Sequence, residues 1–400
     1  MPTRIDAAYK VVTPMFSGGA DPARAELRMS SFKGVLRYWW RALAWEEHGG
    51  DLEEIRRRED ELFGSARDGQ SMVTMRLDSE VGRPATARAK DILRIPDTTK
   101  PVGEGVRYLG YGVMEAFPSR KKGTRECLQA PCEFTIRMRV RDLERSGKRL
   151  TPGGTDLLRD ALIATGVFGG MGAKSRKGFG SVVLRSLMVD GKSRWAAPRS
   201  KDDLEKCVAR LRRTGVSDVL PEYTALSDRA RHVLVWSDSH TPRVPLTLLD
   251  LIGRELIRYR SWGRGGRILQ GMESERNFED DHDLMKMQYA SAPTHPRRVA
   301  FGLPHNYGPR REHQVGPADH GLDRRASPLF IHIHECGDKP VAVLSFLPAR
   351  FLPEGKSGIS VGGRRVEQRP EDELYRPVHG FLDRLLQEPR EALTAIEVGP

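Results

Sequence analysis

The sequence predicts an α+β fold, in which helices cover one face of antiparallel sheets. Two observations carry this prediction. Apolar residues alternate at period two in several short segments, a pattern typical of half-buried strands. In the first half, these segments and the helical patterns follow the order strand, helix, several strands, helix, strand, which matches the split βαβ plan of ferredoxin-like domains. The second half could repeat this plan with a helical insertion.

The first half begins with a strand, because Ile5, Ala7, Tyr9 and Val11 occupy alternate positions. Helices are predicted over 32–46, 51–62 and about 155–165, and strands over 72–77, 108–117, 133–141 and 181–189. Ser30, Ser31 and Thr155 are candidate N-caps for these helices. The strand over 133–141 is the clearest, since apolar residues on one face alternate with arginines on the other. The polar stretch 81–107 is predicted as loop.

A turn or linker is predicted over 191–200, from Asp190-Gly191-Lys192 and Pro198. We therefore divide the chain into domains of residues 1–195 and 196–400. In the second domain, helical patterns cover 201–213, 243–260, 280–290 and 371–388, and strand-like segments cover 298–303, 328–335 and 341–347. Self-similarity between the two halves is weak, so it does not by itself establish a repeat.

The charge of the chain favours a polyanionic partner. Lys and Arg number 66 against 54 Asp and Glu, for a formal net charge of +12. Such an excess attracts nucleic acid by steering and by counterion release, although a merely soluble basic protein is the alternative. Residues 1–20 lack a signal-peptide pattern and no stretch has the roughly 20 apolar residues of a membrane span. The four cysteines form no C-x-x-C pair. We expect a cytoplasmic protein without a membrane partner or disulfide framework.

The most informative segment is the glycine-rich loop, residues 166–181. It contains glycines 166, 169, 170, 172, 178 and 180 and the cations Lys174, Arg176 and Lys177. Glycine lets a ligand approach the backbone, and cations beside exposed amides suit phosphate. We expect the amides of Gly169, Gly170 and Gly172 and the three cations to bind RNA phosphates. The alternative is a glycine-rich turn that merely carries exposed cations.

Three phosphate- or RNA-binding motifs resemble this loop but do not match it. Ala173 interrupts the G-K-[ST] of a P-loop, and the predicted order is helix–loop–strand instead of strand–loop–helix. A G-x-G-x-x-G dinucleotide fingerprint is absent. Lys177-Gly178-Phe179-Gly180 resembles the start of an RNA-recognition signature, but Ser181 replaces its stacking aromatic residue. Base stacking on this strand is therefore excluded.

Two further basic groups are candidates for RNA contact. Lys33, Arg37 and Arg41 recur every four residues and form a basic stripe on the predicted helix 32–46, although such a stripe can simply be a solvated face. The cluster at 261–267 contains Arg264 and Arg267 between glycines, and is either a phosphate-contacting loop or a disordered linker. On the same helix, Trp39 is predicted in the core and Trp40 is left open as an interface residue.

Two segments together resemble the RAMP superfamily of CRISPR-associated proteins. They are residues 13–43, which run from Thr13-Pro14-Met15-Phe16-Ser17-Gly18-Gly19 to the tryptophan-rich Leu36-Arg37-Tyr38-Trp39-Trp40-Arg41, and the glycine-rich loop. Supporting pieces are Leu62-Phe63-Gly64-Ser65, Tyr108-Leu109-Gly110-Tyr111-Gly112 and Arg325-Ala326-Ser327-Pro328-Leu329. Within this superfamily the chain most closely resembles the first subunits of type III-B (Cmr) effector complexes. The resemblance is strong over 1–190 and patchy beyond.

The resemblance implies two tandem ferredoxin-like domains and a non-catalytic role. It implies contact with guide and target RNA near the guide 3′ end, and other RAMP-type subunits as partners, while another subunit cuts the target. An alternative is a guide-processing endoribonuclease of the same superfamily, which would cut without metal. A third is an assembly protein whose basic faces meet acidic subunits.

Candidate catalytic and metal-binding residues each have an ordinary structural interpretation. His48 could serve as a general base, but its place after the tryptophan helix is typical of a helix end. Asp21 lies in a loop where related subunits carry a cleaving aspartate, yet Asp21-Pro22 is also common turn chemistry. His332, His334 and Cys336 alternate along a strand and could hold zinc, but a buried core strand explains them better. We expect no catalytic residue, metal or cofactor.

Overall fold

The computed structural model has an α+β fold with several antiparallel sheets, as the sequence predicts. It describes residues 2–21, 23–78, 85–88, 103–113, 125–142, 153–213, 219–237, 244–262, 265–268, 271–287, 294–308, 310–337, 339–387 and 393–399. Two large sheets, one in each half of the chain, dominate the core. Among the described residues, no helix has the length and apolar character required to cross a membrane.

The first sheet is built around the amino-terminal strand. Its members are β1 (Thr3–Val11), β2 (Val73–Asp78), β5 (Cys132–Val140), β6 (Val182–Val189) and β7 (Lys192–Ala196), in the spatial order β2-β5-β1-β6-β7. A small pair, β3 (Thr86–Arg88) with β4 (Glu126–Leu128), lies outside this sheet. Ile5 pairs with Met138 and Ala7 with Ile136, so the apolar faces of the central strands coincide. The alternation that predicts β1 and β5 thus sets their register.

Helices cover the apolar face of the first sheet. They are α1 (Met29–Glu47), α2 (Leu52–Phe63) and α4 (Gly154–Phe168), while α3 (Glu104–Leu109) packs on the second half. Phe32, Leu36 and Trp39 of α1 are buried against β1 and α4, where the Tyr9 hydroxyl donates to the Leu162 carbonyl at 2.8 Å. Trp39 therefore lies in the core as predicted. Trp40 is also buried, 3% exposed.

The second sheet repeats a similar arrangement. It contains β8 (Arg231–Ser237), β13 (Leu329–Cys336), β14 (Lys339–Phe346) and β17 (Leu393–Glu397), in the order β13-β14-β8-β17. Two helices associated with it are α6 (Pro245–Arg260) and α9 (Arg376–Gln387), and α5 (Lys201–Leu211) links the halves. Leu249, Ile331, Phe346 and Phe381 are fully buried in this second core.

Smaller elements lie between β8 and the carboxyl terminus. They are the hairpin β9 (Arg267–Ile268) and β10 (Met272–Glu273), α7 (Glu279–Met287), two 3-10 turns (Arg297–Phe301 and Arg311–His313), α8 (Glu371–Leu374), and a four-stranded sheet. That sheet joins β11 (His305–Asn306), β12 (Gln314–Pro317), β15 (Gly358–Val361) and β16 (Arg364–Glu367) in the order β11-β12-β15-β16.

Several local predictions are wrong, and each has a physical reason. The strand predicted over 108–117 begins as helix α3, because Gly105 lets α3 pack directly on the backbone of α6 at Asp250 and Gly253. The turn over 191–200 contains β7, since the tight turn at Asp190-Gly191 returns the chain as a hairpin. Residues 298–301 are 3-10 helix, not strand.

The predicted helix ends also need correction. The N-cap residues of α1 and α4 are Arg28 and Gly153 instead of Ser30, Ser31 or Thr155, and neither helix start has a side-chain cap hydrogen bond. Tyr375 divides the last predicted helix into α8 and α9. Strands β8 and β17 were not predicted at all. Of the predicted loop 81–107, the described residues contain β3 and the start of α3, and the rest lies outside the described part.

The two halves meet along the carboxyl end of α4 and strand β13. Lys10 of β1 pairs with Glu335 at 2.6 Å, and the Thr13 hydroxyl donates to the Gly178 carbonyl at 2.7 Å. The Ile333 amide donates to the Ser181 hydroxyl at 3.1 Å. The glycine-rich loop therefore lies at the junction of the two halves, with the second sheet beside it.

Candidate nucleic-acid interface

The glycine-rich loop folds back between the two halves as a compact ribbon. Backbone bridges join Phe16 to Ala173, Gly170 to Ser181 and Lys177 to Ile331. The Met171 amide donates to the Gly180 carbonyl at 2.9 Å, and the Ala173 amide donates to the Phe16 carbonyl at 2.9 Å. Most loop amides are therefore used inside the protein, and the loop is held in one conformation.

Most of the loop glycines allow close packing of the backbone, and few leave an amide open to a ligand. The Gly169 amide donates to the Thr165 carbonyl at 3.1 Å, where it closes the last turn of α4 instead of pointing to an open surface. Gly170 is buried in its bridge with Ser181. Gly172 is exposed and has a φ of +85°, and a side chain there would meet the Phe16 carbonyl. Of the three predicted amides, only that of Gly172 lies on an exposed residue.

Lys174 stands out within the loop because it adopts a left-handed backbone with φ of +64°. A non-glycine residue in this region is uncommon and costs conformational energy. The side chain is partly buried, and its burial, together with the nearby charge of Arg324, lowers the pKa of the ammonium group. Among the described residues, no carboxylate counteracts the burial of this ammonium group or its repulsion by Arg324.

Arg176 is held flat against aromatic rings. Its guanidinium lies 4.5 Å from the ring centre of Phe330 and 5.5 Å from that of Tyr38. One nitrogen donates to the Ser327 carbonyl at 2.9 Å. These contacts fix the plane of the guanidinium, which presents its remaining donors in a defined direction.

Lys177 carries a buried ammonium nitrogen without a hydrogen-bond partner in the described part of the chain. Burial, together with the positive charges of Arg260, Lys174 and Arg176, lowers its pKa to about 7. A cation that lacks both water and a counter-charge is costly, since desolvation is offset only by a partner. The site therefore has positive potential that an anion would relieve.

We call Lys174, Arg176, Lys177, Arg260 and Arg324 the junction cluster. None of the five forms an ion pair with a carboxylate in the residues that the structure describes. Elsewhere arginines commonly have acidic partners, as Arg231 has in Asp383 and Glu397. The cluster draws three cations from the loop and two from the second half, so it forms only in the folded chain.

Arg260 and Arg324 were not predicted as site residues. Arg260 ends α6 and stacks on Phe301 at 4.5 Å. Basic residues are ordinary in the last turn of a helix because they complement its dipole, so the sequence contains no signal that separates Arg260 from that role. Arg324 lies beside Asp323 and Arg325 in a mixed-charge segment. Only the tertiary structure brings either residue to the loop.

The predicted basic stripe is paired inside the protein. Lys33 donates to the Phe63 carbonyl at 2.6 Å, and burial lowers its pKa. Arg37 and Arg41 both donate to the buried carboxylate of Glu59, at 2.6 and 2.8 Å. The stripe therefore binds α1 to α2, and it does not extend the junction cluster as an unpaired surface.

Of the two arginines in the second predicted basic group, only Arg267 is among the residues that the structure describes. Arg264 lies outside the described residues. Arg267 is exposed in β9, next to Gly265 and Gly266, which both have positive φ. Its side chain is open to solvent, and no carboxylate pairs with it in the described chain.

Of the candidate catalytic residues, two have local structural roles. The His48 amide donates to the Ala44 carbonyl at 3.0 Å and ends α1. The Asp21 carboxylate accepts the Ala23 amide at 2.9 Å in a turn of the expected kind. Both geometries match the ordinary interpretation that the sequence predicts.

His332 and His334 are buried at the junction of the halves, 1% and 0% exposed. His332 Nδ1 donates to the Gly169 carbonyl at 2.7 Å, and His332 Nε2 lies 3.4 Å from His334 Nδ1. Burial lowers the pKa of His332 to about 4. The core-strand interpretation of these residues is confirmed. The described residues contain no cluster of three histidine, cysteine or acidic side chains placed to hold a metal ion.

Comparisons of sequence identify related proteins. Residues 8–183 match the RAMP superfamily. A Pyrococcus furiosus protein named CRISPR system Cmr subunit Cmr1-2 is 29% identical over 184 residues, which cover 44% of this chain and 93% of that protein. Cmr subunit Cmr1-1 of the same organism is 22% identical over 340 residues, 83% of each chain.

Comparisons of structure extend the likeness to nearly the whole chain. The crystal structure of Cmr1 from Pyrococcus furiosus in its apo form has a TM-score of 0.55 at 18% identity, covering 99% of this chain and 98% of that one. A chain in a cryo-EM structure of the type III-B Cmr-beta bound to cognate target RNA has a TM-score of 0.51 at 11% identity, covering 95% and 100%. The RAMP-superfamily resemblance, and within it the resemblance to Cmr1 subunits, is confirmed.

Proposed function

We propose that this chain is a non-catalytic, RNA-binding subunit of a type III-B CRISPR effector complex, and that it contacts guide and target RNA near the guide 3′ end. The junction cluster is the observation that carries this proposal. Five cations without acidic partners among the described residues meet at one place, at the partly buried glycine-rich loop between the two halves. Phosphate oxygens are the ligands that such an array suits, through charge and through hydrogen bonds from lysine and arginine.

The relatives support the assembly part of the proposal. Two are named as Cmr subunits, and one structural neighbour belongs to a type III-B complex bound to cognate target RNA. The partners we infer for this chain are therefore guide RNA, target RNA and other RAMP-type subunits. We place the protein in the cytoplasm, where such RNAs are made.

We further propose that each large sheet belongs to a ferredoxin-like unit. In the first, β2-β5-β1-β6 has the order 2-3-1-4 of a split βαβ plan, and the order β13-β14-β8-β17 is the same in the second. The segment between α6 and β13, which includes α7, is then the insertion in the second unit. Domain boundaries at 1–195 and 196–400 agree with this division to within one residue, since β7 of the first sheet ends at Ala196.

RNA contacts of the loop can be changed at Lys174, since its side chain makes no described structural bond. Lys174→Glu removes one positive charge from the cluster and adds a negative one. We expect RNA of any sequence to bind about tenfold more weakly, with a salt dependence reduced by about one unit of log–log slope. Fluorescence anisotropy with guide-length single-stranded RNA over a salt series measures both quantities.

Lys192→Glu is the matched control, because Lys192 is exposed at the start of β7 and the charge change is identical. Equal losses for the two variants would mean that only net charge matters and would overturn the proposed site. RNA cleavage by the purified chain without metal would instead favour the guide-processing endoribonuclease. Salt-sensitive binding to subunits with none to RNA would favour an assembly role.

A further inference from the structure

A pocket of about 310 Å³ opens between α1, the glycine-rich loop and β13. Its principal lining residues are Gly34, Tyr38, Trp39, Phe168, Arg176 and Phe330. This volume is at the lower end of small-molecule sites, so the pocket suits one compact planar group better than a folded peptide. It lies on the side of the loop where Arg176 stacks, and Arg176 is one residue from Lys177 and two from Lys174 in the chain.

The walls of the pocket are aromatic and mutually supported. Trp39 lies 5.6 Å from Phe168 and 5.8 Å from Phe330, measured between ring centres, and Tyr38 lies edge-on to Trp39 at 5.2 Å. The Tyr38 hydroxyl is hydrogen-bonded to Thr224, which fixes the ring. Arg176 closes one side with its guanidinium plane. Aromatic rings and arginine planes are the surfaces on which unstacked bases bind.

The fold does not explain why glycine occupies position 34 at the edge of this pocket. It lies inside α1, is exposed, and has no heavy atom within 4 Å of the position where a Cβ would stand. It has ordinary helical geometry, so neither a positive φ nor a close backbone contact requires glycine. Glycine destabilises a helix interior relative to alanine. The fold alone would thus favour a side chain here, whereas an occupant of the pocket would favour its absence.

Polar groups at the rim fit the edges of a base. The hydroxyls of Ser31 and Ser175 line the pocket and form no hydrogen bond within the described part of the chain. Arg176 gives one hydrogen bond to Ser327 and keeps other donors free. An aliphatic side chain of a partner protein would leave these groups unsatisfied, whereas a nucleobase offers acceptors and donors in its plane.

We propose that this pocket holds one unstacked nucleobase of the RNA whose phosphates lie on the junction cluster. The proposal rests on the proposed function, since it requires RNA at the loop. The base would lie at the open side of the pocket beside the Arg176 guanidinium, which itself stacks on Phe330 and Tyr38, with Gly34 leaving room for its edge. This contact would be made by the π-face of any base, and so would tolerate sequence.

The test fills the pocket from Gly34. In the full-length chain, Gly34→Leu should weaken binding of guide-length single-stranded RNA roughly tenfold and leave the salt slope unchanged, because phosphate contacts remain. Gln387→Leu adds the same side chain at an exposed position of α9 and should bind as the unmodified protein does. Gly34→Ala should raise the melting temperature while it weakens RNA binding, a combination that a purely structural glycine would not give.

An abasic scan identifies the bound nucleotide. RNAs with one base removed at successive positions should show one position, or one for each register, where affinity falls with the unmodified protein but not with Gly34→Leu. Unchanged affinity of Gly34→Leu, with normal salt dependence and a normal effect of Lys174→Glu, would overturn the pocket and leave the proposed function intact. If Lys174→Glu also behaves as the unmodified protein does, the proposed function fails as well.

Discussion

Lys177 places its ammonium group where the described protein supplies no counter-charge. Burial lowers its pKa to about 7, with Arg260, Lys174 and Arg176 acting in the same direction. Because the folded-state pKa lies below the usual value of about 10.4, folding releases this proton at intermediate pH. A bound phosphate would favour the charged form and restore the proton.

Above pH 7, binding of RNA should therefore be accompanied by protonation of Lys177. At constant salt, we expect affinity to fall between pH 7 and 9, by up to about tenfold per pH unit. Lys177→Met should remove most of this dependence, whereas Lys192→Met should leave it unchanged. Anisotropy titrations at pH 6, 7, 8 and 9 measure the effect, and a flat profile for the unmodified protein would contradict it.

At individual residues, the sequence predicted the loop but not the role of its glycines. The run of glycines and cations predicts an RNA-binding segment, yet Gly178 and Gly180 have positive φ and pack against Leu249 and Met171. An open amide and a close backbone contact both require glycine, so the sequence cannot distinguish them. Arg260 and Arg324 reach the cluster only through tertiary packing.

Among the elements, α1 and α2 are joined by a buried ion network. Glu59, 4% exposed, accepts hydrogen bonds from both Arg37 and Arg41. Removing a buried partner is more costly than the pair is worth, because it leaves the opposite charge uncompensated. The four-residue spacing of the stripe was read correctly from the sequence, but its acidic partner on the next helix was not.

Glu59→Gln should destabilise the protein by about 2 kcal/mol, less than for a fully enclosed pair because the arginines reach solvent. RNA affinity should not change, since the stripe is separate from the junction cluster. Glu54→Gln, which alters pairs with Arg57 and Arg58 on the surface of the same helix, should have little effect. Urea unfolding measures the first result. A stable Glu59→Gln that binds RNA differently would contradict it.

The bounds of helices and strands could be predicted where the period of apolar residues along the sequence determines them. Strands β1 and β5 follow the alternation of their sequences closely. The prediction failed where tertiary contacts determine the secondary structure. Examples are α3, where Gly105 packs on α6, and β7, which depends on a turn at Gly191. Strand β8 is apolar on both faces because it lies inside the second sheet, and it was not recognised.

For the whole molecule, the junction of the halves depends on neutral histidines. His332 and His334 lie between α4 and the second sheet, and burial lowers the pKa of His332 to about 4 and that of His334 well below its usual value. Since unfolded histidines titrate near 6.5, the unfolded state binds more protons below that pH. Above pH 6.5 the histidines are neutral in both states, so their burial contributes its full stability. Below that pH, protonation of the unfolded state lowers the free energy of unfolding progressively towards pH 4.

The free energy of unfolding should therefore fall steeply from pH 6.5 to 4. His332→Gln, which can still donate to the Gly169 carbonyl, should remove about one proton from the slope, worth on the order of 3 kcal/mol over this range. Denaturant unfolding in a pH series measures the slope. The same slope in the unmodified protein and in His332→Gln would contradict a neutral His332 in the junction.

The architecture was predictable at the level of class and less so in its pairing. Alternation and element order were enough to predict an α+β fold with antiparallel sheets, and the loop and tryptophan helix were enough to detect the resemblance to the RAMP superfamily. The junction could not be predicted, because it depends on contacts such as Lys10 with Glu335, which are 325 residues apart. The cationic site is a property of that junction and of neither half alone.

Ultraviolet crosslinking of the effector complex, purified from its source organism with its RNA, would show whether RNA contacts the junction cluster. Mass spectrometry of RNA-bound peptides from this chain should place crosslinks in the loop peptide containing Lys174–Lys177, and in the segments around Tyr38 and Arg260. Absence of this chain from the RNA-bound complex, or crosslinks confined to the exposed sheet face around Arg76 and Arg139, would contradict RNA contact at the junction.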